Sequence, residues 1–64
     1  MIALHRTVPG TFVTPEGDYT VVVRIGDDGY RTYRIHSAAG GWGEVCLMHE
    51  VRPYIAAHRE HHHR

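Results

Sequence analysis

Tyr19 to His36 constrains this chain more than any other stretch, because its letters fix a β-hairpin and the register of that hairpin. Tyr19-Thr20-Val21-Val22-Val23-Arg24-Ile25 and Tyr30-Arg31-Thr32-Tyr33-Arg34-Ile35-His36 place β-branched and aromatic residues at a period of two, with Gly26-Asp27-Asp28-Gly29 between them. A loop of Asp27-Asp28-Gly29, built as a type I turn closed by Gly29 at positive φ, sets Gly26 opposite Tyr30. Ile25 then faces Arg31, Val23 faces Tyr33 and Val21 faces Ile35. Those pairs, with Tyr19, form one apolar face. Thr20, Val22, Arg24, Thr32, Arg34 and His36 form the other, and a slip of one residue would scatter apolar groups over both.

The rest of the chain is read around that ribbon. Ile2 to Val8 alternates as a first strand that ends at the turn Pro9-Gly10. Thr11-Phe12-Val13-Thr14 reads as a short edge or bridging segment, with Phe12 a plug at one end of the core. Pro15-Glu16-Gly17-Asp18 reverses the chain into the hairpin. Ser37-Ala38-Ala39-Gly40-Gly41 has little to pack and reads as a mobile loop. Glu44 to Glu50 is ambiguous: a strand puts Val45, Leu47 and His49 on one face, whereas a helix spaces Val45, Met48 and Val51 about a turn apart. The strand is favoured, because the glycines before it and Pro53 after it leave little room for a helix. Arg52-Pro53 suits a helix start, followed by one or two turns packed through Tyr54 and Ile55.

These elements predict a mostly β fold: a small antiparallel curved sheet or SH3-like barrel of four to five strands with a short C-terminal helix. The alternative is an α+β arrangement of a three-stranded sheet plus that helix. Gly43-Glu44-Val45-Cys46-Leu47 followed by Val51-Arg52-Pro53-Tyr54 resembles the last strand and short helical turn of SH3-like barrels, such as Tudor-type domains and the C-terminal domains of retroviral-type integrases. The resemblance covers residues 43–54 and implies a binding module. It carries over no binding residue, for the chain shows neither an aromatic cage nor a strongly basic strand face.

Sixty-four residues make a single small β domain, read as 1–57, followed by a His-rich tail, 58–64. A core this small is marginal unless well packed or oligomeric. All seven Lys and Arg residues are arginine, and lysine, asparagine and glutamine are absent. Because arginine codons are GC-rich, that usage points to a high-GC bacterial genome or a phage within one. Seven acidic residues balance the arginines, so the global pull of a nonspecific nucleic-acid binder is missing. No apolar run is long enough to span a membrane, and Met1-Ile2-Ala3-Leu4 is cut short by His5-Arg6 rather than continuing as a signal-peptide core. With the lone Cys46, these features favour the cytoplasm, bacterial or that of a phage host.

Candidate sites follow from local clustering. Arg24, Arg34 and His36 share the polar face of the hairpin, with Arg31 near its tip, and planar guanidinium forks in a row suit phosphate or carboxylate groups. The competing structural reading pairs those arginines with Asp18 or Glu44. Trp42, between glycines, is either a core anchor or an exposed recognition aromatic, and the core's need for volume favours at least half-burial. His58, His61 and His62 stand at i, i+3 and i+4, a helical spacing that would hold zinc, nickel or copper, although a terminal histidine run also chelates adventitiously. Cys46 reads as exposed, with His49 pointing away from it in a strand, which leaves no activated nucleophile.

The expectation is a non-catalytic protein-binding module, acting through Arg24, Arg31, Arg34, His36 and Trp42. A phage or mobile-element accessory protein that modulates a host enzyme fits the size and codon usage. The alternative is a small nucleic-acid-binding protein that uses the arginine face; a third reading is metal binding at the C-terminal histidines, no other cofactor being indicated. Homo-oligomerisation that hides Trp42 and an edge strand is compatible with each.

Overall fold

A computed structural model describes residues 2–62 of the chain. Five strands follow in order: β1 (His5–Val8), β2 (Thr11–Val13), β3 (Tyr19–Ile25), β4 (Arg31–Ser37) and β5 (Trp42–Val45). A 3-10 turn, Met48–Glu50, leads directly into the helix α1 (Val51–His62). The strands form one curved antiparallel sheet in the order β1-β2-β3-β4-β5, a simple meander. Among the described residues no ladder joins β1 to β5, so the sheet is open; of the two mostly β forms expected, the curved sheet is the one seen.

The central hairpin has the register that its turn chemistry dictates. Val21 faces Ile35, Val23 faces Tyr33 and Ile25 faces Arg31. Gly26 N–H donates to Tyr30 C=O at 2.9 Å, Gly29 N–H donates to Gly26 C=O at 2.9 Å, and Gly29 takes the positive φ of 84° that closes the loop. Asp28 Oδ1 accepts from Tyr30 N–H at 3.0 Å and stiffens the tip.

The core lies between the inner face of this sheet and α1. Tyr19, Val21 and Ile35 from the sheet meet Val51 and Ile55 from the helix, all five buried, with Ile2, Leu4, Phe12, Tyr33, Val45, Met48 and Tyr54 packed around them. Helix positions 51 and 55 are one turn apart, so a single narrow stripe faces the sheet. Pro53 falls within the first turn of α1, where its missing N–H has no intrahelical acceptor to lose.

Several expectations are corrected. The strand favoured for Glu44–Glu50 ends at Val45; after a bend the chain forms the 3-10 turn, in which Leu47 N–H donates to Glu50 Oε1 at 3.1 Å and Glu50 N–H to Leu47 C=O at 3.0 Å. That reciprocal cap starts the helix earlier than Pro53 alone would. The helix is longer than the one or two turns expected, running from Val51 to His62, with His58 and Arg59 bonded to Tyr19 and Asp18. β1 starts at His5 rather than Ile2, since Ile2 and Leu4 turn onto the core. Ser37–Gly41 is no loose loop: Ser37 N–H bonds to Gly41 C=O, Gly40 N–H to Ser37 C=O, and Ala38 N–H to Asp18 C=O. Ile25 has core-face parity yet is 68% exposed, because the hairpin tip projects beyond the reach of the helix.

Candidate functional site

Strand register assembles the outer face of the sheet, the side away from α1. Reading across the ladders, Val8, Thr11, Val22, Arg34 and Glu44 form one row, and His5, Val13, Thr20, His36 and Trp42 form the next. Arg24 opposite Thr32 begins a third. Trp42 is 60% exposed, which corrects the half-buried position expected of it. The cause is its neighbour. Gly43, not Trp42, points inward, and the Tyr54 ring lies so close against it that any Cβ there would overlap the phenol. Alternation along β5 then sends the indole outward.

Arg34 lies across that indole, its guanidinium carbon 4.5 Å from the ring centroid. It also stands 3.8 Å from Glu44 Oε2, which accepts from Thr32 Oγ1 at 3.2 Å. The result is an aromatic ring at the surface with a cation stacked on it and a carboxylate beside it. Arg34, His36 and Trp42 are therefore together, with Arg24 one pair further toward the tip. Arg31 is not with them: it faces Ile25, on the opposite side of the sheet.

The histidines are divided. His58 Nδ1 is hydrogen-bonded to Tyr19 Oη at 2.6 Å, with the two rings edge to face, and the Tyr54 ring lies nearly parallel to the imidazole at 6.2 Å. His61 shares a shallow groove with Tyr54, Ala57 and His58. The side chain of His62, the third expected ligand, lies outside the described residues, as do residues 1, 63 and 64. Among the described residues no three His, Cys, Asp or Glu side chains gather as a metal would need. Cys46 is exposed.

The strongest polar constellation, which sequence reasoning missed, anchors the helix. Arg59 donates from Nε to Asp18 Oδ2 and from Nη2 to Asp18 Oδ1, both at 2.8 Å, and from Nη2 to Glu16 Oε1 at 3.1 Å. Buried Thr14 donates from Oγ1 to Asp18 Oδ1 at 2.6 Å and accepts from Tyr19 N–H at 3.1 Å. The Arg59 hydrogen bonds hold the Asp18 carboxyl well below the usual carboxylate range, against the opposing effect of burial. Burial, followed by the Asp18 charge, raises the Tyr19 phenol above its ordinary value. The spacing Thr14-x-x-x-Asp18 was the available signal, but the partner at Arg59 is 41 residues away. This cluster fastens α1 to the β2–β3 turn and leaves the outer face as the exposed candidate.

Compared with protein-family models, curated proteins and solved structures, the chain finds no match. What fold and site define is an architectural class: a small open antiparallel meander backed by one C-terminal helix. None of the helices described is long and apolar enough to cross a membrane.

Proposed function

We propose that the chain is a small protein-binding module that acts without catalysis through the outer face of its sheet, with Trp42 as the anchor. One observation carries the reading: the only tryptophan is 60% exposed and is held in place by Arg34. An aromatic with its rotamer already restrained loses little entropy on docking, and Trp and Arg are the side chains that most often dominate interfaces. Half-buried Val22, next to Arg34 in the neighbouring row, and half-buried Val13, further along Trp42's own row, lie on the same face. The finer reading is an accessory protein of phage or mobile-element origin that modulates a host enzyme in the cytoplasm, which codon usage supports; the open sheet speaks against the closed barrel of an SH3-like module.

The nucleic-acid alternative is weakened by the same geometry. Arg34, its central residue, already has Glu44 beside it, and the chain carries no net charge.

Affinity capture from a high-GC host lysate tests the proposal. A stoichiometric protein retained by the wild type and lost with Trp42→Ala is expected. Capture indifferent to Trp42→Ala, or no protein captured, would count against it.

A further inference from the structure

The two edges of the sheet differ. On β1 the register shifts between Arg6 and Val8, so a bulge interrupts the row of backbone groups that the edge offers. β5 pairs with β4 without irregularity from Trp42 to Val45. In an antiparallel ladder, hydrogen-bonded and non-bonded pairs alternate. Because Ser37 N–H donates to Gly41 C=O at 3.1 Å, the pairs Ile35 with Gly43 and Tyr33 with Val45 are the bonded ones. The N–H and C=O groups of Trp42 and Glu44 therefore point away from β4, into an open edge.

We propose that this edge pairs with β5 of a second copy of the chain about a two-fold axis at Gly43, so that Trp42 faces Glu44 of the second copy and Glu44 faces its Trp42. Three registers satisfy both the two-fold axis and the bond parity, and the charges and backbone choose among them. Centring on Glu44 would set the two glutamates directly opposite each other, a like-charge pair. Centring on Trp42 would pair Glu44 with Gly40, whose φ of 106° takes it out of extended conformation. Centring on Gly43 avoids both and closes four backbone hydrogen bonds. It continues the row Val22, Arg34, Glu44 into Trp42 and His36 of the second copy, placing each carboxylate between its own Arg34 and the facing indole edge. The two indoles become diagonal neighbours on one face, at roughly 7–8 Å, within reach of each other. A ten-stranded sheet results, and it adds to the burial that so small a core can supply.

Sedimentation velocity of the full chain between about 1 µM and about 1 mM tests this, a weak dimer being expected from so short a ladder. The emission of the single tryptophan should shift to shorter wavelength along the same concentration curve. Glu44→Pro removes an outward N–H while leaving the β4 ladder intact, and should weaken association at least about tenfold; Glu44→Ala, which keeps the N–H, should retain most of it. Should Glu44→Pro fail to fold, amide exchange of the wild type decides: protection of Trp42 and Glu44 should rise with concentration, and that of β1 should not. In this register the two copies of Cys46 are six residues out of step, about 20 Å apart. A chain monomeric at about 1 mM, a dimer unaffected by Glu44→Pro, exchange protection that does not rise at β5, or a rapid Cys46 disulfide between copies would each overturn it.

Discussion

Gly43 and Trp42 show how a single atom decides which side of a strand is the working side. The Tyr54 ring occupies the space that a side chain at 43 would need, so Gly43→Ala must displace the ring or the strand. Overpacking of this kind costs about 1–3 kcal/mol, and thermal or urea unfolding should show the loss. Trp42→Ala removes an exposed ring and should change stability far less than it changes association. Asp18 makes a different prediction, through pH. Its carboxyl is depressed in the folded state, so its stabilising contribution is complete above the unfolded value of about 3.9 and is lost as pH falls below it. The melting temperature should fall between about pH 5 and pH 2, and Asp18→Asn should lower it at pH 7 while flattening that acid limb.

At the scale of elements, the helix depends on its far end as much as on its middle. Ile55 is wholly buried against the sheet, and Ile55→Ala should cost about 2–5 kcal/mol. Deleting residues 58–64, which a reading of the C-terminus as a tail would treat as harmless, removes His58 from Tyr19 and Arg59 from Asp18. A cooperative loss of helix by circular dichroism, at lower temperature than for the full chain, is the expected outcome. The hairpin was legible because everything that fixes it is local: Gly29 sets the turn, the turn sets the register, and the register sorts Val21 and Ile35 from Arg24 and Arg34. The face carrying Arg34 and His36 was legible for the same reason. The outward turn of Trp42 was not, because it depends on Tyr54 in another element. Likewise the helix start moved because Leu47 and Glu50 cap each other, a local device masked by the alternation of Val45, Leu47 and His49. Arg59 had no sequence signal, since its partners sit across the whole chain.

For the molecule as a whole, charge separates the candidate partners. With arginines and acids balanced and Arg34 beside Glu44, nucleic-acid binding at pH 7 should be absent or should collapse with modest salt in a mobility-shift titration, whereas an interface centred on Trp42 should persist. The irregularity between Arg6 and Val8 also sets a limit on growth. A sheet with two smooth borders can add copies without end and run into fibres. Here one border is spoiled, so once two molecules have joined along the other, only spoiled borders remain outward and the assembly stops at a pair.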